Sequence, residues 1–164
     1  MKDEINTWME KVKSIKSEAD LSKDEDLAIG IMNLISLEEH LFFTAQKTNN
    51  RKYLEMLNSV RSLRTKLMKK IVKNPKGEEW CISKHLLAAS MRLMEVGTKE
   101  LNTNKEEANS YFYAAFELFS LFFAINLQIV EVEEIKNSPH NMEKSFGSKF
   151  SEIIKKILDC CKEW

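Results

Sequence analysis

Apolar side chains recur along the chain at the spacing of an α-helix. In the first such segment, about residues 3–18, they stand at Ile5, Trp8, Met9, Val12 and Ile15. One apolar residue at every third or fourth position forms a stripe along one face of a helix. Similar stripes predict about six helices, the other five covering roughly 23–47, 51–73, 78–101, 105–136 and the residues that follow 138.

Capping and turn residues indicate where these helices begin and end. Residues 22–25 (Ser-Lys-Asp-Glu) and 103–106 (Thr-Asn-Lys-Glu) have the spacing of a capping box, so each predicts a helix start. Asn74-Pro75 ends the third helix, and Ser138-Pro139 opens the sixth. The connections are short, about eight residues or fewer, so consecutive helices should pack antiparallel.

Composition favours the same fold class. The chain has 164 residues with only 4 glycines and 2 prolines, too few for a sheet-rich fold with many tight turns. Its length suits a single domain. We therefore expect residues 1–164 to form one all-α domain, a bundle of about six mostly antiparallel helices. Segment 105–136 is apolar nearly all round and is predicted to be the central, buried helix.

The most apolar stretch, Tyr111–Val132, is also long enough to cross a membrane. Glu117 lies within it, and a charge in that position favours a buried core helix over a membrane span. The N-terminal residues lack the apolar run of a signal peptide. An odd number of cysteines, 3, argues against a disulfide framework and for a reducing compartment. These features predict a cytoplasmic protein with no membrane partner.

Charge is balanced over the whole chain but unevenly distributed. Lysines and arginines number 25, as do aspartates and glutamates, yet residues 47–99 hold 13 of the basic and only 4 of the acidic side chains. Such zonation indicates either an anion-binding face or basic helices packed among acidic ones.

Four charged residues stand in or near stripes that are otherwise apolar. Glu38 falls in the middle of the second predicted stripe, Arg64 falls in the third with Arg61 at its flank, and Glu117 belongs to the fifth helix. A lone buried charge is costly, so these groups should pair. We expect a buried Glu38–Arg64 pair, with Glu117 as a second acid for the arginines. The pair either fixes helix register or lines a pocket where Arg64 meets an anionic ligand.

Small residues recur every seven positions in the fourth predicted helix. Ser83, Ser90 and Gly97 form a seam that would let a neighbouring helix approach closely. The alternative is that this seam, or the end of the chain at Trp164, mediates self-association as a homodimer.

The opposite side of the same helix carries His85 and Arg92, seven residues apart. Cys81 and His85 have the spacing of two metal ligands, but two ligands do not make a site and no second such pair exists. No metal or other cofactor is predicted.

The preferred hypothesis is a non-catalytic binding or interaction module with a basic end. Its partner would be an acidic protein or, non-specifically, nucleic-acid phosphates. Trp80 opens the following helix, so aromatic residues are not interleaved with this basic run, which disfavours sequence-specific recognition. The predicted docking residues are Lys66, Lys69, Lys70, Lys73 and Lys76.

The alternative is an enzyme or carrier of a small anionic ligand or nucleotide. Its pocket would be the buried polar network, to which acid–base chemistry could be assigned. However, the sequence has no Glu-x-x-His or His-x-x-x-His motif and no glycine-rich phosphate loop, so no catalytic residue is predicted. The residues of this alternative site are Glu38, Arg61, Arg64, His85, Arg92 and Glu117.

Overall fold

A computed structural model describes residues 21–129, which form four α-helices without any strand in that range. They are α1 (Ser22–Thr48), α2 (Lys52–Met68), α3 (Glu79–Glu100) and α4 (Lys105–Asn126). The all-α prediction is confirmed. The predicted count of six is not, because four helices are seen here and the predicted segments 3–18 and after 138 lie outside the described residues.

The four helices form two hairpins that meet through α1 and α3. α1 packs against α2, α3 packs against α4, and α1 also contacts α3. Most of the core lies at the end of the bundle where α1 and α3 begin and where α2 and α4 end, because the apolar residues of those four turns converge there. This core contains Leu21, Ala28, Ile31, Met32, Met68, Ile71, Val72, Leu87, Phe122, Phe123, Ala124 and Ile129.

α4 differs from the predicted central helix 105–136 in both position and length. It packs chiefly against α3, and although its last turn is buried, Tyr113 on its outer side is 44 % exposed. It also ends at Asn126 instead of 136. The segment is therefore apolar because its C-terminal turns are buried in the core, and not because other helices surround it on all sides.

A Schellman motif ends α4. The Ile129 amide donates to the Ala124 carbonyl at 2.8 Å, and the Gln128 amide donates to the Ile125 carbonyl at 3.0 Å. This arrangement requires the left-handed conformation at Gln128, whose φ is 56°. Glycine is the usual residue there, so the sequence carries no conspicuous stop signal.

The observed N-caps are each one residue away from the predicted ones, and only the one that starts α4 is a side-chain cap. Ser22 is the first residue of α1 and not its N-cap, which is Leu21. At the start of α4 the cap is Asn104, whose side-chain oxygen accepts from the Glu107 amide at 3.2 Å. Thr103 instead donates to the carbonyl and carboxylate oxygens of Glu100, at the end of α3.

The seam of small residues on α3 packs against α4. Ser83, Ser90 and Gly97 are all buried, and the Ser90 hydroxyl donates to the Ala115 carbonyl at 2.8 Å. Near the core, the Asn126 amide donates to the Ser83 hydroxyl at 3.0 Å. The predicted close approach of a neighbouring helix is confirmed. Since α4 occupies the seam, that face is not open to a second copy. The other predicted surface for self-association, at Trp164, lies outside the described residues, and a homodimer stays a prediction.

By length and hydropathy alone, α1 and α4 could each cross a membrane. Buried residues make up 28 % of the most apolar window of α1 and 44 % of that of α4. The core helix of a globular domain satisfies the same criteria, so this finding by itself is weak evidence for a membrane span.

Candidate functional site

Glu38 is the centre of a buried ionic cluster between α1 and α2. It is only 8 % exposed because it faces α2 from the middle of α1. The Arg64 side chain donates through Nε to Oε1 at 2.7 Å and through Nη2 to Oε2 at 3.3 Å. The Arg61 Nε donates to Oε2 at 2.9 Å. One carboxylate thus holds two guanidinium groups, one helical turn apart on α2.

The two arginines differ in their access to solvent. The Arg64 side chain is 7 % exposed, and its Nε and Nη2 are both bonded to Glu38. The Arg61 side chain is 57 % exposed and uses only its Nε for this bond. Arg64 is therefore an internal counter-ion that ties α2 to α1, whereas the outer part of the Arg61 guanidinium faces the surface.

Burial and the arginines act on the Glu38 carboxyl in opposite directions. Burial tends to raise its pKa, but the hydrogen bonds from Arg64 and Arg61 together with their positive charges outweigh this, and the pKa is lowered from the ordinary 4.5. The ionised form is thus the one that the folded protein stabilises.

A pH dependence of stability follows from this lowered pKa. Above pH 4.5 the stabilisation from Glu38 is fully present, and it should be lost as the pH falls through the lower pKa of the folded state, because the unfolded chain takes up the proton first. We expect the difference in free energy of unfolding between the natural chain and Glu38→Gln to shrink between pH 7 and pH 3 in urea titrations. A difference that stays constant over this range would show that Glu38 is not held ionised.

An open groove of about 630 Å³ runs over this cluster between α1, α2 and α3. We call it the carboxylate groove. Its walls combine apolar side chains with charged ones, contributed by α1 (Ile35, Glu38, Glu39, Phe42), α2 (Leu57, Arg61, Arg64, Thr65) and α3 (Trp80, Cys81, Lys84, His85, Ala88).

The structure gathers part of the predicted polar set in this groove. His85 lines it alongside the Glu38 cluster. Arg92 lies beyond the groove and pairs at 2.5 Å with Glu39, which does line it; both side chains of that pair are about half exposed. Glu117 is not the predicted second acid for the arginines, because it lies half-buried on α4, which packs against α3 and not beside α2.

A second groove of about 690 Å³ lies at the end of α2. We call it the lysine groove; it is lined by Thr65, Lys69, Val72, Lys73, Asn74, Pro75 and Trp80. Of the five predicted docking residues, Lys69 and Lys73 line it and Lys66, Lys70 and Lys76 do not; all five lysines are exposed.

Trp80 is the functional candidate that the sequence did not single out. It is half-buried, packs against the core and lines both grooves, so an aromatic ring does stand beside Lys69 and Lys73. The connection after Asn74-Pro75 brings the first turn of α3 back to the end of α2. The available signal was a tryptophan three residues after the glycine of a Pro-Lys-Gly turn.

Among residues 21–129 no group of three or more histidine, cysteine, aspartate or glutamate side chains is placed to hold a metal ion. Cys81 and His85 both line the carboxylate groove, and Cys81 is an exposed, free thiol.

Comparisons of this chain with protein-family models, with curated proteins and with solved structures find no match.

Proposed function

We propose that this protein is a non-catalytic binding module that takes single-stranded nucleic acid, without sequence preference, at its lysine-rich end. The observation that carries the proposal is the lysine groove, in which Lys69 and Lys73 stand beside the ring of Trp80. Phosphates attract lysines and bases stack on aromatic rings, and this pairing of chemistries is typical of proteins that bind single strands.

The charges at this end are available to a partner. Lys66, Lys69, Lys70, Lys73 and Lys76 are exposed, and within the described part of the chain none of them forms an ion pair. The neighbouring Glu79 carboxylate is already engaged, since it accepts a hydrogen bond from the Lys76 backbone amide at 2.7 Å. Binding of phosphates here would release counterions and depend strongly on salt.

Two observations favour this function over the alternatives that the sequence left open. The buried Arg64 is bonded to Glu38 through two of its nitrogens, so it is not a free receptor for a small anionic ligand. The ring of Trp80 distinguishes nucleic acid from an acidic protein, because an acidic peptide offers charges but no bases to stack.

Binding of a fluorescein-labelled deoxythymidine 12-mer, followed by fluorescence anisotropy over a range of salt concentrations, tests this function. We expect Lys69→Ala/Lys73→Ala to weaken binding by about tenfold at low salt and to reduce the slope of log K against log salt by about 1.4, since each phosphate contact on a single strand contributes about 0.7.

Lys47→Ala/Lys99→Ala is the matched control. It removes the same charge from exposed positions at the far ends of α1 and α3, and it should leave binding unchanged apart from a small general effect of net charge. Salt-independent binding, or polyglutamate competing as well as the oligonucleotide, would contradict the proposed function.

A further inference from the structure

The lysine groove and the carboxylate groove are adjacent, because Thr65 and Trp80 line both. We propose that together they form one continuous track for a single strand, which passes from Lys69 and Lys73 across the ring of Trp80 to Lys84 and Arg61. This inference rests on the proposed function and extends it, since it assigns a binding role to residues outside the lysine-rich end.

Helix geometry places the contributing residues in two short rows. Arg61 and Thr65 of α2 and Lys69, which is the C-cap residue of this helix, are four residues apart and share a face, and the row spans about 12 Å. On α3, Trp80 and Lys84 are also four residues apart and share a face. A stacked strand advances about 3.4 Å per nucleotide, so the α2 row matches about three nucleotides.

The charge along the carboxylate groove suits a phosphate despite its two acids. Glu38 is neutralised by Arg64 and Arg61, and Glu39 is paired with Arg92. Lys84, which lines the groove, makes no ion pair with any residue in the range 21–129. The outer nitrogens of Arg61 are not used in the bond to Glu38, and its side chain is 57 % exposed. One lysine and part of one arginine therefore remain for the strand.

Trp80 lies where the two grooves meet, so one base of the strand would stack on its ring. A base that stacks on its ring would have phosphates on either side, one near Lys69 and Lys73 and the other near Lys84. Because every base has a stacking face, this arrangement tolerates any sequence.

The first test measures binding of the deoxythymidine 12-mer by Lys84→Ala. Loss of one phosphate contact should weaken binding about fivefold at low salt and lower the salt slope by about 0.7. The control is Lys105→Ala at the start of α4, an exposed lysine that lines neither groove and should bind like the natural chain.

The second test follows the emission of Trp80 in a full-length chain carrying Trp8→Phe and Trp164→Phe, with its helical content checked by circular dichroism. Stacking should quench this emission when the 12-mer binds. In the natural chain, Trp80→Leu should weaken binding and Trp80→Phe should largely restore it, because phenylalanine keeps an aromatic face.

The outcomes separate the track from the proposed function. Full affinity and an unchanged salt slope in Lys84→Ala, with the emission of Trp80 still quenched on binding, would overturn the track while leaving binding at the lysine-rich end intact. Binding that leaves the emission of Trp80 unchanged would contradict both, because stacking on that ring belongs to the proposed function as well. Quenching together with a lower salt slope would support the track. Absence of any binding by the natural chain would overturn both.

Discussion

Glu38→Met should destabilise the fold more than Arg64→Met, although each removes one partner of the same buried pair. In Glu38→Met the guanidinium of Arg64, only 7 % exposed, loses the acceptor of both of its hydrogen bonds. A buried charge left without its partner costs about 3–5 kcal/mol. In Arg64→Met the carboxylate still accepts from Arg61 at 2.9 Å, and methionine replaces much of the arginine stem.

Thermal and urea unfolding would measure this asymmetry. We expect a loss of about 4 kcal/mol for Glu38→Met, which corresponds to a fall in Tm of about 10 °C for a domain of this size, and about half that loss for Arg64→Met. The double variant Glu38→Met/Arg64→Met should be more stable than Glu38→Met alone, since it leaves no buried charge unpaired.

Small and equal effects of the two single variants would mean that water reaches the cluster and that it contributes little to the fold. Retention of oligonucleotide binding in the folded Arg64→Met variant is also expected, because Arg64 serves the packing of α1 on α2. A selective loss of binding in a stably folded Arg64→Met would instead assign Arg64 to the ligand site.

Replacement of Gly97 by alanine should destabilise the fold, whereas the same replacement of Gly30 should stabilise it. A β-carbon at Gly97 would lie 2.7 Å from Cε1 of Phe112 and 3.1 Å from the Ala108 carbonyl oxygen. Phe112 and the backbone of α4 must therefore shift to admit even an alanine. Overpacking of this kind costs about 1–3 kcal/mol, enough to exceed the gain of about 1 kcal/mol that alanine usually brings to a helix.

Gly30 provides the matched control. It lies inside α1, is exposed, and has nothing within 4 Å of the position of a new β-carbon. Gly30→Ala should stabilise the fold by up to about 1 kcal/mol, Gly97→Ala should destabilise it by about 1 kcal/mol, and Gly97→Leu by about 3 kcal/mol or more. Urea unfolding would measure these differences. If Gly97→Ala stabilised the fold, Phe112 and the backbone of α4 would have to move away from the new β-carbon at little cost in free energy.

The sequence predicted that the four helices exist, because their stripes and turn residues are local signals. Two predicted ends were wrong: α2 ends at Met68 instead of 73, and α4 ends at Asn126 instead of 136. The Glu38–Arg64 contact was also foreseeable, since each charge interrupts an apolar stripe and consecutive helices with a short connection must face each other.

Which side chains of each apolar stripe are buried was less predictable. Helical spacing places Phe42 on the apolar stripe of the predicted segment 23–47 and Met56 on that of 51–73. They are nevertheless 46 % and 53 % exposed, because the hairpins converge at one end of the bundle.

Features that depend on contacts between distant segments were not predictable. α4 ends because Gln128 adopts the left-handed conformation, which glutamine rarely does, so no residue type in the sequence marks the end of this helix. The position of Trp80 between two grooves depends on how α2 and α3 approach each other. Lys69 and Lys73 line the same groove as Trp80 because the end of α2 lies next to the start of α3. The pattern of residues within one helix carries no information about such a contact between helices.

The lysines of the proposed binding surface alternate along the chain with residues that are buried in the core. Met68, Ile71 and Val72 are buried in the core, while Lys69 and Lys73 between and after them point outward. The backbone that carries these charges is therefore already ordered before any partner arrives. The conformational entropy lost on binding falls mainly on the lysine side chains, so the surface is preorganised and retains more of its electrostatic attraction as net affinity.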